Sequence, residues 1–415
     1  MKPKVWIWNH YAVNMFFDQA GRHYWFAENL IKEGFKPTIF CASTNHFSDN
    51  HIDTNEKQYS TDSVNDIPFV FIDTPKYKGN GKKRVLNMIS FYKGLFKTAK
   101  MYAESNGKPD VILASSVHPL TLVAGIKIAK KFDIPCICEV RDLWPESIVA
   151  YGSLKRNSLV AKLLYQGEKW IYKKASSIVM TWEGGRQYIK DQGWDNEIDL
   201  NKVKHISNGV VIESFDKNSK EKQIDDSELD DKNYKNLVYA GSIRKVNNLG
   251  LLLDAAKLVH EKDQKIRLLI YGSGDEKEML ENRCKDECIS NVIFKGRVEK
   301  KMIPSILKRS YANILHNSST SLDKYGQSQN KFFEYLAAGR AVIQTYTTGY
   351  SILEKYNCGL SAVKQNPEKI AEVILEACKD NENVEQMGEN ARKASYEFDF
   401  TKLTNKLAEV IKNLY

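Results

Sequence analysis

The sequence predicts an α/β protein made of two open, largely parallel sheets in tandem, with helices on both faces of each sheet. Short β-branched and aromatic runs alternate with helical patterns from end to end, as parallel strands joined by crossover helices require. The alternation breaks once, after residue 203, and then restarts. At 415 residues the chain also exceeds what one hydrophobic core ordinarily supports. Two domains follow, residues 1–207 and 208–397. The spacing of Leu403, Leu407, Val410, Ile411 and Leu414 predicts a last helix over 398–415 that packs back on the first domain.

In the first half, apolar runs predict strands at 5–8, 38–41, 69–72, 111–114, 136–140 and 177–181, with a helix at 22–33. His205-Ile206-Ser207-Asn208-Gly209-Val210 reads as a strand ending in a turn, and the charged stretch 216–235 reads as the linker. The second half predicts strands at 237–240, 268–271, 292–295, 312–315 and 341–344, with helices at 248–262 and 275–283. Tandem sheets of this kind place ligands in a cleft at the carboxyl ends of their strands.

Composition narrows the function classes. Hydrophobic residues at 42% and charged residues at 27% describe a globular chain. The net charge of +9, from 61 basic and 52 acidic residues, suits an anionic ligand or an anionic membrane surface. No recognition-helix, zinc-finger or RNA-binding pattern points to nucleic acid. Seven cysteines without a CxxC pair read as reduced thiols in a cytoplasm, and Cys284 with Cys288 lacks the second ligand pair that zinc needs. The opening Val5-Trp6-Ile7-Trp8 is too short for a signal peptide, and no segment approaches the roughly 20 apolar residues of a membrane span.

The most informative run is Ser328-Gln329-Asn330-Lys331-Phe332-Phe333-Glu334-Tyr335-Leu336-Ala337-Ala338-Gly339, a polar loop opening a helix that a glycine closes. Ser328 or Asn330 can cap that helix, so that free N–H groups and the dipole face a diphosphate, with Lys331 adding a full charge. Glu334, expected in the first turn, can accept two hydrogen bonds from a ribose diol, and Gly339 serves as the C-cap. An ordinary capped helix leading to a strand is the competing reading. Three glycine turns precede it: Gly241-Ser242-Ile243-Arg244-Lys245, Tyr271-Gly272-Ser273-Gly274 and Lys295-Gly296-Arg297-Val298. In the first, Ser242 and the turn amides can bind phosphate oxygens while Arg244 or Lys245 neutralises a leaving diphosphate.

The order and spacing of these four elements, with Asn208-Gly209 upstream as a hinge turn, resemble family 4 glycosyltransferases of the GT-B fold, two Rossmann-like domains facing across a cleft. Arg141-Asp142-Leu143-Trp144-Pro145-Glu146-Ser147 and the segment from Tyr77-Lys78-Gly79-Asn80 to Arg84 look like the bacterial branch that builds capsule, O-antigen and exopolysaccharide units. The resemblance implies a retaining transferase that moves a hexosyl or N-acetylhexosaminyl group from a nucleoside-diphosphate sugar, UDP favoured, with the donor on the second domain and the acceptor on the first. It implies that Glu334 holds the ribose, that Arg297 and Val298 lie beside the base, and that Arg244 and Lys331 face the diphosphate, with Gly241, Gly272 and Asn330 in the same donor site. Gly326 departs from the pattern, because the family often has a second glutamate eight residues before Glu334. Ser242 and Asn247 likewise stand where Arg and Lys are frequent.

On the first domain, His118 matches a family histidine that contacts the donor sugar or the reacting acceptor, and Asp142 at a strand end is the rival base. Gly21 matches the family's first glycine loop, and a helix start without a ligand is its plainer reading. No DxD pair stands at a strand end, so no obligatory metal or other cofactor is expected. Lys82, Lys83, Arg84, Phe91, Lys93 and the cations that follow can rest on an anionic bilayer and guide a polyprenyl-diphosphate-linked glycan, or simply cover the first sheet. The protein is expected in the cytoplasm at the inner face of the membrane. A nucleotide-sugar epimerase of the same architecture and a non-catalytic partner subunit of another transferase are the alternatives.

Overall fold

The computed structural model describes residues 2–44, 50–77, 79, 81–116 and 118–414. Lys78 and Asn80 of the basic segment, and Val117 beside His118, lie outside the described residues. The chain forms two units, Met1–Ser207 with Phe400–Tyr415, and Asn208–Asp399.

The first unit holds one eight-stranded sheet. Its strands are β1 Lys4–Trp8, β2 Lys36–Ala42, β3 Tyr59–Val64, β4 Ile67–Ile72, β5 Val111–Ser115, β6 Cys136–Val140, β7 Ser177–Met180 and β8 Val203–His205, in the order β3-β4-β2-β1-β5-β6-β7-β8. All pairings are parallel except β3 with β4. Val5 to Trp8 are all buried, because helices cover both faces of a parallel sheet. β3 is not among the expected strands. Its residues Tyr-Ser-Thr-Asp-Ser-Val are polar and lie at an edge, and it joins β4 through the two-residue turn Asn65-Asp66, whose φ angles are 48° and 62°.

Helices Lys82–Asn106, Pro119–Phe132 and Leu159–Lys174 follow β4, β5 and β6 and pack side by side. Each begins at the carboxyl edge of the parallel strands, as crossover connections demand. Helix Arg22–Lys32 receives the returning C-terminal helix Phe400–Lys412, with the Phe400 ring 4.6 Å from Trp25 and 5.6 Å from Phe26.

Beneath the carboxyl edge, Glu139 on β6 is fully buried and accepts three hydrogen bonds: from Arg22 Nε at 2.8 Å, His23 Nε2 at 2.7 Å and Ser115 Oγ at 2.6 Å. Asn9 Nδ2 donates to His23 Nδ1 at 3.1 Å, which assigns the His23 proton to Nε2. Arg22 also donates to the carbonyls of Ile206 and Ser207, at 2.8 and 2.5 Å. One carboxylate thus joins β5, β6, the Arg22–Lys32 helix and the loop after β8.

The second unit is a six-stranded parallel sheet of β9 Lys235–Ala240, β10 Ile266–Tyr271, β11 Val292–Gly296, β12 Ala312–Leu315, β13 Val342–Gln344 and β14 Gly359–Ser361, in the order β11-β10-β9-β12-β13-β14. The charged stretch expected as a linker is folded into this unit. Leu229 buries in its core and Ile224 packs against it, while Asp216 pairs with Lys308 and Arg392 and Asp226 with Lys295. Its charges read as solvent-seeking only until their partners on distant elements are seen.

Burial alone would raise the Glu139 carboxyl, yet Arg22 and His23 hold it well below the ordinary value of 4.5. Its contribution to stability is therefore complete above pH 4.5 and is lost as the pH falls through the folded value. Glu139→Gln strands the buried Arg22 charge and is expected to cost about 3–5 kcal/mol in urea unfolding near neutral pH. The variant should also lose less stability than the parent on acidification.

Candidate functional site

In the second unit, the carboxyl edge is assembled by turns that fit only without side chains. A Cβ on Gly272 would collide with the Gly241 carbonyl oxygen, and one on Gly274 with that of Ile243. Ile243 N donates to the Ser273 carbonyl at 3.0 Å, so the turns after β9 and β10 interlock. This gives Gly272 a packing role at the edge where a donor contact is expected of it. Ser242 Oγ donates to Asn247 Oδ1 at 2.9 Å, and Arg244 and Lys245 are exposed without a carboxylate partner among the described residues.

The helix expected at the centre of the site runs Asn330–Ala337, preceded by Gln329 and closed by Ala338 and Gly339, whose φ is +67°. Its capping differs from expectation. No side chain caps it; Ser328 Oγ instead accepts from the Asn208 backbone N–H at 2.8 Å, and the Ser328 carbonyl from Asn208 Nδ2 at 2.6 Å. Asn330 is exposed, and Glu334 is the fifth helical residue, one turn further in than expected. Buried Tyr335 locks the helix to β9, its hydroxyl accepting from Ala240 N at 2.9 Å and donating to Ala240 O at 3.2 Å.

Lys331 and Glu334 are both half-buried. The Lys331 amine donates to the His316 carbonyl at 2.8 Å and sits 4.6 Å from the Tyr239 ring centre. Desolvation pushes it down to about 7. His316, at the end of β12, is buried and donates through Nε2 to the Asn248 carbonyl at 2.9 Å, so Nδ1 accepts from Thr345 Oγ1 at 2.7 Å. Burial keeps it neutral above about pH 4. Glu334 Oε1 lies 3.0 Å from the exposed Lys300 amine. Arg297 is exposed and Val298 packs against the apolar core below. Lys331, Glu334, the β9 turn and the β11 turn therefore share one edge, over a lysine seat, His316, that sequence reasoning missed.

Gly326 has φ +98° and ψ −163° and is buried. That backbone conformation is essentially closed to side chains. The departure from the family's glutamate is thus built into the loop.

In the first unit, Gly21 precedes the Arg22–Lys32 helix with φ +122°, while Arg22 and His23 serve Glu139. His118 precedes helix Pro119–Phe132 and is only 6% exposed. Its environment is a chain of imidazoles. Asn87 Nδ2 donates to the Pro75 carbonyl at 2.7 Å and to Thr44 Oγ1 at 3.1 Å, which leaves Asn87 Oδ1 to accept from His10 Nε2 at 2.7 Å. His10 Nδ1 then accepts from His118 Nε2 at 2.8 Å. His118 Nδ1 is left without a proton, and it is buried with no hydrogen-bond partner among the described residues. Asp142, by contrast, is exposed. Both line a groove of about 280 Å³ between helices Pro119–Phe132 and Leu159–Lys174.

Two residues expected at a membrane face inward. Phe91 is fully buried and stacks on His10, ring centres 4.6 Å apart and 7° from parallel. Arg84 is half-buried and donates to the Tyr11 hydroxyl at 3.0 Å. The helical stripe containing Phe91 faces the sheet, and the exposed cations of the helix are Lys82, Lys83, Lys93, Lys97 and Lys100. His10 and Asn87 carry no sequence signal of their own, because the His118–His10 and His10–Asn87 hydrogen bonds span 108 and 77 residues of chain.

A model of the Glycosyl transferases group 1 family matches residues 203–394, and one of Glycosyltransferase Family 4 matches residues 24–214. The chain belongs to the glycosyltransferases. The uncharacterized glycosyltransferase MJ1178 of Methanocaldococcus jannaschii is 24% identical over 366 residues, 85% of this chain and 91% of the relative. MJ1069 of the same organism is 23% identical over 59% of this chain, which spans only 60% of that relative's length. Among solved structures, the sucrose-phosphate synthase of Thermosynechococcus elongatus superposes with a TM-score of 0.72 at 12% identity, covering 100% of this chain and 99% of its own. Anabaena Alr3699/HepE in complex with UDP gives 0.68 at 14% identity, covering 100% of both. The two sheets are those of the GT-B fold. Among the described residues, no helix is long and apolar enough to cross a membrane.

Desolvation, with Arg84 nearby, pushes His118 down to about 4. Nitrogen-15 NMR of the full chain should show His118 neutral and protonated on Nε2 from mildly acidic to alkaline pH. His10→Phe removes the acceptor, and a mixture of tautomers is then expected at His118.

Proposed function

We propose that this glycosyltransferase transfers a hexosyl or N-acetylhexosaminyl group, with retention, from a UDP-sugar to a polyprenyl-diphosphate-linked glycan in bacterial surface polysaccharide synthesis. The observation that carries the donor half is the pairing of Lys331 and Glu334 on one helix beside the exposed cations of the β9 turn. A nucleoside diphosphate needs a carboxylate for the ribose diol and cations for its phosphates, and this edge offers both. The Anabaena neighbour's structures with UDP and with UDP-glucose support UDP as the base-carrying half.

The chemistry then rests on the leaving group. As the glycosidic C–O bond breaks, negative charge grows on the diphosphate, and Arg244, Lys245 and Lys331 stabilise it while the sugar approaches an oxocarbenium ion. The acceptor hydroxyl attacks from the face the diphosphate leaves. Asp142, exposed at the end of the β6 segment, is the better placed acceptor-side group, because His118 is turned into the His10 pair. Residues of the second unit hold the donor and those of the first the acceptor, without a resident metal.

Lys331 is largely neutral above about pH 7 in the free protein. A diphosphate beside it favours the ammonium, so UDP binding at mildly alkaline pH should take up a proton, seen by calorimetry in buffers of different ionisation enthalpy. Lys331→Arg, which stays charged, should abolish that uptake. Glu334→Ala should weaken UDP about ten-fold or more, in line with loss of a charge-assisted contact of 1.5–3 kcal/mol. A thermal-shift series of nucleoside diphosphates should rank UDP first. UDP affinity unchanged in Glu334→Ala would overturn the donor assignment.

A further inference from the structure

Helices Lys82–Asn106, Pro119–Phe132 and Leu159–Lys174 pack side by side and carry thirteen lysines and arginines against two acidic residues. The whole chain has a net charge of only +9, so this one layer is more basic than the protein. Some of these cations have local work: Lys169 and Lys173 pair with Glu197, and others sit in last turns where the dipole favours them. Among the described residues, Lys82, Lys83 and Lys162 have no ion-pair partner, and none lies in a last turn. They are exposed in the first turns, beside exposed apolar side chains that a solvated helix face would not keep: Val85 and Leu86, then Leu159 at 84% and Leu163 at 73%. Both clusters lie in first turns, hence at the carboxyl edge of the sheet, where Asp142 also lies.

The groove between the second and third of these helices opens at that edge. Its walls are Leu120, Val123, Trp144, Leu163, Leu164 and Trp170. Its polar groups are concentrated where Ser116, His118 and Asp142 meet it. Glu168 also reaches it, but there Tyr172 and Tyr188 donate to the carboxyl at 2.7 and 2.8 Å. A slot of this kind fits an amphiphile whose hydrocarbon runs along the helices and whose polar head ends at Asp142.

We infer that this groove seats the first isoprenoid segment of a lipid diphosphate presented by an anionic bilayer, with the basic layer lying on the lipid headgroups. Charge complementarity selects the bilayer, since the ten exposed lysines of this layer that remain after Arg84, Lys169 and Lys173 are set aside favour an anionic surface, and apolar residues between them insert below it. The inference rests on the lipid-linked acceptor proposed above and adds where its chain binds. The acceptor diphosphate meets Lys162 and its neighbours, and the sugar hydroxyl reaches Asp142.

Gly167 gives a clean test. It lines the groove in mid-helix, and a Cβ there meets nothing within 4 Å, so a larger side chain can be introduced at the groove wall without a clash at Cβ. Replacing a helix-interior glycine also favours the helix. Farnesyl diphosphate binding should be measured for the full chain, Gly167→Ala and Gly167→Phe, with inorganic pyrophosphate and UDP as further ligands. The inference predicts that farnesyl diphosphate binds the parent and Gly167→Ala alike, that Gly167→Phe weakens it about ten-fold or more, and that pyrophosphate and UDP do not distinguish the three. Equal farnesyl diphosphate binding by all three, or binding by none, overturns it. Sedimentation showing that Gly167→Phe changes self-association while the probe does not bind would assign the face to a second copy of the chain instead. Failure of UDP to bind the parent would strike the donor reading and leave the groove result standing on its own.

Discussion

The buried carboxylate of Glu139 is the constraint on which the first unit depends. An ionised carboxyl with no exposure is tolerable only when its lone pairs are filled, and here Arg22, His23 and Ser115 fill them while Arg22 supplies the opposite charge. The consequence is geometric. Ser115 and Glu139 end adjacent strands, Arg22 opens a helix, and its remaining N–H groups hold the carbonyls of residues 206 and 207, where the first unit ends. His118 and Asp142 follow those strand ends in the chain.

The second unit reaches the same result by different means. Its edge is held by backbone packing, with Gly272 and Gly274 against the preceding turn, and by Tyr335 and His316, which pin one helix to strands β9 and β12. Neutral, buried donors and acceptors do the positioning, and the charged groups left over, Arg244, Lys245, Lys331 and Glu334, surround the edge. Keeping Lys331 poorly solvated costs stability in the free protein and makes it responsive to an incoming anion. Among the described residues these charges form no ion pair with each other, and only Glu334 has an ion-pair partner, the exposed Lys300, which suits the polyanion proposed for this edge.

Much of the fold was legible because parallel strands buried on both faces are continuous apolar runs, as at β1, β5 and β6. The edge hairpin was not, although Asn65-Asp66 is a turn dipeptide, because Tyr59–Val64 is polar and half solvated. The charged segment after residue 215 misled for the opposite reason: its acids are spent on Lys308, Arg392 and Lys295, partners far away in sequence. At the site, residues in a local motif could be placed from sequence, as with Lys331, Glu334 and the glycine turns. Residues that act through long-range contacts could not. Phe91, expected at a membrane face, is instead buried against His10, and the His10 ring that His118 bonds, itself held by Asn87, could not be read from the local motif.

The central claim is that a nucleoside diphosphate sits at the carboxyl edge of the second unit, between the β9 turn and the start of the Asn330–Ala337 helix. Amide hydrogen exchange of the full chain with and without saturating UDP tests it most directly. The account predicts slowed exchange concentrated in residues 241–247 and 329–335. Protection absent from both segments, in a chain shown to be saturated with UDP, would contradict it.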